Sequence, residues 1–109
     1  MKSIQKAVER WASMDATHWD TGLSPAGVRH AQATAADLID TSLFRQPGSP
    51  PKRLLIWCAS NVFTAPLEWV AQFAAMGTKV ILKAPSACPI PTEAIAEAFG
   101  EFGVVAHRL

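Results

Sequence analysis

Apolar residues recur at helical spacing from the start of the chain, where Ile4, Val8, Trp11 and Ala12 share one face of a short amphipathic helix ending near Ser13. Asp15, Thr17, Asp20 and Gly22 then favour turns, with Trp19 among them as an apolar anchor. Ser24 followed by Pro25 gives an N-cap and a first-turn proline, the best local helix start in the chain. Val28, Ala31, Ala35, Leu38 and Ile39 line one face of the helix that follows, with Arg29, Gln32 and Asp37 facing away, and the pattern carries it to about Leu43.

Pro47, Gly48, Ser49, Pro50 and Pro51 stop that helix and form a linker, because prolines lack an amide donor and fix their own φ. Beyond it the run Leu54-Leu55-Ile56-Trp57-Cys58-Ala59 is apolar without alternation, the pattern of a parallel strand buried on both faces. Pro66 opens a helix carrying Leu67, Val70, Ala71, Ala74 and Ala75, which Gly77 closes before a second apolar strand, Val80-Ile81-Leu82. Pro91 and Thr92 open another helix, with Ile95, Ala98, Phe99 and Phe102 on one face, and Gly103 ends it before Val104-Val105-Ala106.

The predicted fold is α/β: N-terminal helices, then β-α-β-α-β forming a parallel, Rossmann-like half sheet with helices on its faces. Residues 1–46 form the helical segment, 47–53 the linker and 54–109 the start of a nucleotide-binding domain. Leu109 follows directly on a strand, so the domain is expected to be incomplete. Strands apolar on both faces would leave such a chain self-associating or partly molten.

Composition narrows the function. Half of the 109 residues are hydrophobic and 17% are charged, a balance suited to burial rather than disorder. Ten Lys and Arg are interspersed with nine Asp and Glu, without the basic block that nucleic acid or an anionic membrane would require. The first ten residues lack the apolar core of a secretory signal, and no stretch approaches the roughly 20 apolar residues of a membrane span, so a cytoplasmic protein is expected. Cys58 and Cys88 have no metal-ligand spacing, and no metal is implied.

In open parallel sheets ligands sit beyond the carboxyl ends of the strands, which directs attention to two segments. In Cys58-Ala59-Ser60-Asn61-Val62-Phe63-Thr64-Ala65-Pro66, an Asn amide lies between a strand and a helix start, where it caps the turn or donates to a developing oxyanion. In Lys83-Ala84-Pro85-Ser86, an ammonium and a hydroxyl either hold a ribose or phosphate or remain solvated. Cys58, inside an apolar strand, is a poor nucleophile; Cys88, near Lys83, has the better electrostatic setting. His18, His30 and His107 are scattered and suggest no acid–base role. Trp11, Trp19, Trp57 and Trp69 read as core or interface anchors.

Taken together, the strand, the Asn before a proline-started helix, Gly77-Thr78-Lys79-Val80-Ile81-Leu82-Lys83 and Pro89 resemble the opening of the nucleotide-binding domain of the aldehyde dehydrogenase superfamily. The resemblance covers Leu54 to Leu109. It implies a parent that transfers hydride between NAD or NADP and an aldehyde or acyl group held on a cysteine, in a homo-oligomer. It further implies that Asn61 is the oxyanion-hole amide and that Lys83 binds the adenosine ribose. The family's nucleophilic cysteine lies far downstream and corresponds to neither Cys58 nor Cys88, so this chain alone is expected to be inactive. Where the family has Pro-Ser-Glu after the lysine, this chain reads Ala84-Pro85-Ser86, which puts Ser86 in place of the ribose-binding glutamate and leaves room for a 2′-phosphate. The shorter N-terminal portion is similar to that of acyl-CoA reductases. A different class stays open: a non-catalytic doubly wound module that binds a nucleotide or another subunit.

Overall fold

Each N-terminal helix begins on a serine whose hydroxyl serves an otherwise unpaired amide of the first turn. In α1 (Ile4–Ala12), Ser3 Oγ accepts from Lys6 N at 3.2 Å, and in α2 (Pro25–Asp37), Ser24 Oγ accepts from Gly27 N at 3.1 Å. The computed structural model describes residues 3–16, 18–19, 21–40, 50–59 and 63–108. The turn positions Thr17 and Asp20, the linker residues 47–49 and Asn61 lie outside them.

Helix α2 ends at Asp37, about six residues before the expected Leu43. Leu38 takes the C-cap position and is exposed, while Ile39 turns back into the core. The face assignment within α2 also changes, because Gln32 is only 1% exposed. Its Nε2 donates to Trp11 O at 3.1 Å and to Met14 O at 3.3 Å, at the carboxyl end of α1. A polar side chain is accommodated in the core there because it serves carbonyls that the helix end leaves exposed.

The rest of the chain follows the expected order: β1 (Arg53–Trp57), α3 (Ala65–Ala75), β2 (Lys79–Ala84), α4 (Ile90–Ala98), a 3-10 turn at Gly100–Phe102, and β3 (Val105–Arg108). Helix α3 closes as the glycine suggested. Gly77 has φ 83°, its amide donates to Ala74 O, and Thr78 N reaches back to Phe73 O, the paired bonds of a Schellman stop. Gly103, φ 75°, turns the chain from the 3-10 turn into β3.

The three strands form a parallel sheet in the order β1-β2-β3, with Leu55 opposite Ile81 and Ile81 opposite Val105. Both crossovers step the same way across the sheet, and right-handed crossovers of that kind place α3 and α4 on one face. Burial follows this arrangement: Val80, Leu82 and Ala84 are buried, whereas Leu55 is 54% and Trp57 68% exposed. The expectation of strands covered on both faces is therefore corrected. The second face is open, and its apolar residues share it with Arg53, Lys79, Lys83 and His107.

On the covered face α3 and α4 lie against the sheet, and α1 packs across both of them with α2 beside it. One core joins Trp11 and Val8 of α1, Val28 of α2, Leu67 and Val70 of α3, Val80 and Leu82 of β2, and Ile95 and Phe99. The N-terminal helices thus belong to the same packed unit as the sheet. Arg10 fastens them further, donating from Nε and Nη2 to Ala98 O at 3.2 and 3.0 Å, at the end of α4. Among the described residues no helix is long and apolar enough to cross a membrane.

Candidate functional site

The carboxyl ends of β1 and β2 lie side by side. Cys58 N donates to Lys83 O at 3.0 Å and so carries the ladder one residue beyond β1. In register across the open face stand Trp57 of β1, Lys83 of β2 and His107 of β3. Neighbouring strands are about 4.8 Å apart, so the ammonium stem of Lys83 rises between an indole and an imidazole. Lys83 is half-buried as a residue, as expected of a long side chain with apolar neighbours. Ser86 is exposed two residues past the end of β2, on the same edge of the sheet.

Beside this row a cleft of about 320 Å³ opens between the end of β1 and the start of α3, lined by Ile56, Trp57, Cys58, Ala59, Ala65, Pro66 and Trp69. Its walls are two tryptophans, both more than half exposed. Trp69 stacks on Phe73 one turn along α3, with centroids 6.0 Å apart and planes 9° from parallel, which fixes the ring at the cleft's rim. Trp11 and Trp19 are core residues, whereas Trp57 and Trp69 present their rings to solvent. The first turn of α3 carries Glu68 and no side-chain N-cap bond, so its free amides share their field with a carboxylate.

Asn61, in the same β1–α3 connection, lies outside the described residues, and no geometry attaches to it. Lys83 and Ser86 are brought to one edge of the sheet, beside the aromatic cleft. The Trp57–Trp69 pair was not read as a site from the sequence, although its position on either side of the β1–α3 turn was the available signal.

Neither cysteine is placed for nucleophilic chemistry. Both are buried, and desolvation pushes the Cys58 thiol above its ordinary pKa, offset in part by a hydrogen bond with the Thr92 side chain. Among the described residues no group of three or more His, Cys, Asp and Glu is arranged to hold a metal ion. A second surface depression, between Met14, Trp19 and the outer side of α4, is bordered by Asp15, His18, Glu93 and Glu97. Glu93 is engaged by Arg108 through two bonds of 2.9 and 3.0 Å, which hold its carboxyl below the usual range.

Lys83, Ser86 and the exposed Trp57 all lie toward the carboxyl edge; neither Lys83-Ala84-Pro85-Ser86 nor Trp57 to Ala59 includes a carboxylate, whereas the first turn of α3 carries Glu68. No protein-family model, curated protein or solved structure matches this chain.

Proposed function

We propose that the chain forms the leading half of the nucleotide-binding sheet of an NAD(P)-dependent oxidoreductase of the aldehyde dehydrogenase or acyl-CoA reductase type. The observation that carries the proposal is the convergence of Lys83, Ser86 and the Trp57–Trp69 cleft on the carboxyl edge of a parallel sheet. Ligands of open α/β sheets bind at that edge, where strand ends and helix starts leave polar backbone unpaired.

In this reading the Lys83 ammonium donates to the ribose hydroxyls or the phosphate of the adenosine half, and Ser86 Oγ supplies a second, neutral contact. A hydroxyl in place of a carboxylate does not oppose a 2′-phosphate, so both NAD and NADP are accommodated. The nicotinamide, when bound, gives or takes the hydride. Asn61 would donate its amide to the oxygen on which negative charge grows, an interaction strongest in the transition state. The attacking thiolate belongs to neither Cys58 nor Cys88. The substrate class is an aldehyde or acyl group.

Titration of the chain with NADH and NADPH, read as energy transfer from tryptophan to the reduced nicotinamide, tests the cofactor. Lys83→Ala is expected to weaken binding about 10- to 100-fold, since a hydrogen bond to a charged group contributes roughly 1.5–3 kcal/mol. Equal affinity in the parent and the variant would remove Lys83 from the site. A second reading, a non-catalytic module that binds another subunit, is favoured by the open apolar face of the sheet. Tight association with a partner in a chain that binds neither dinucleotide would favour it.

A further inference from the structure

The open face of the sheet carries a second pattern, separate from its carboxyl edge. Leu55, Ile81 and Val105 stand in register across all three strands, forming an apolar row with Leu55 54% and Val105 37% exposed. At about 4.8 Å between strands the row is about 10 Å long, the length of roughly seven residues of α-helix. On its amino-terminal side stand Arg53 and Lys79, opposite each other in β1 and β2 and both exposed. No Asp or Glu occupies a strand position, and every described carboxylate belongs to a helix, a 3-10 turn or a connection. The face is thus apolar along its middle, with Arg53 and Lys79 on one border and Trp57, Lys83 and His107 on the other.

Resting on the second reading above, in which the chain binds another subunit, we propose that this face is a docking site for an amphipathic α-helix of a partner chain. The helix would lay an apolar stripe over Leu55, Ile81 and Val105 and present Asp or Glu to Arg53 and Lys79. Charge decides between the possible occupants. A second copy stacked face to face would bring cationic side chains over cationic side chains, which costs association energy. Single-stranded RNA needs a run of stacking surfaces, and the central row is aliphatic, with the rings of Trp57 and His107 outside it and separated by Lys83. A helix with an acidic flank satisfies both the apolar row and its border.

The test uses two synthetic helices with the same leucine stripe, one flanked by Glu and one by Lys, titrated into the chain and followed by backbone amide shifts. The Glu-flanked helix is expected to shift amides around Leu55, Ile81 and Val105 and to bind at least about tenfold tighter at low salt. The Arg53→Glu/Lys79→Glu double variant should reverse that preference. Both positions are exposed, and far-UV circular dichroism verifies that the variant folds. Equal binding of the two helices, or shifts confined to other surfaces, would overturn the proposal. So would a dimer that Leu55→Ser/Val105→Ser converts to monomer, since a second copy would then cover the face. The same amide shifts produced by an oligoribonucleotide would also overturn it.

Discussion

Replacing Gln32 by leucine keeps most of the side-chain volume but removes the amide that serves two carbonyls at the carboxyl end of α1. The two losses differ. Trp11 O still accepts from Met14 N at 3.2 Å, whereas Gln32 is the hydrogen-bond partner described for Met14 O. A net bond contributes about 1 kcal/mol and a carbonyl left unpaired costs about 1–3 kcal/mol; the Met14 end is only part-buried, which keeps the sum to roughly 2–3 kcal/mol. At the roughly 4–8 °C per kcal/mol of a domain this small, the melting temperature should fall by about 8–24 °C. Urea denaturation followed by tryptophan fluorescence should show a lower midpoint with an unchanged slope, since the surface exposed on unfolding is the same. A fall of less than about 2 °C would mean that solvent reaches these carbonyls, and the buried role of Gln32 would be wrong.

The remaining predictions concern titration and reactivity. The Glu93 carboxyl is held below its ordinary pKa by hydrogen bonds from Arg108, so its contribution to stability is present above the unfolded-state value and is lost as pH falls through the folded one. Glu93→Gln should therefore flatten the acid limb of the stability–pH curve only slightly, because both side chains are more than a third exposed; a large change would show a tighter pair than the geometry indicates. Burial raises the pKa of the Cys58 thiol, so that contribution is present below the ordinary thiol pKa and lost as pH rises through the raised one. Thiol-labelling reagents at mildly alkaline pH should modify Cys58 in the folded chain far more slowly than in the unfolded chain, and equal rates would contradict its burial.

Much of the fold was legible because its boundaries are made by residues with few backbone options. Ser24-Pro25 and Pro66 open helices as expected, and Gly77 and Gly103 end segments by adopting positive φ. The open face was hidden by β1, where Leu54, Leu55, Ile56 and Trp57 are apolar at both parities and carry no record of which side is covered. Strand β2 held the missing signal: Lys79 and Lys83 share the parity of Ile81, while Val80, Leu82 and Ala84 share the other. Gln32 was assigned to the outer face on polarity alone. Its spacing, four residues after Val28 and three before Ala35, places it on the buried stripe, and only the positions of the α1 carbonyls explain why an amide is needed there. At the candidate site, Lys83 and Ser86 followed from strand ends, whereas the Trp57–Trp69 cleft depends on how α3 is set against β1.

The proposal that a dinucleotide binds at the carboxyl edge of the sheet, with Lys83 as its cationic contact, is tested most directly by a residue-resolved footprint. In an amide-shift titration with NADH, changes are expected to concentrate at Trp57 to Phe63 and at Lys83 to Ser86, with affinity reduced at least about tenfold by Lys83→Ala. Changes centred instead on the Leu55, Ile81 and Val105 row, or no changes with millimolar NADH or NADPH, would contradict it.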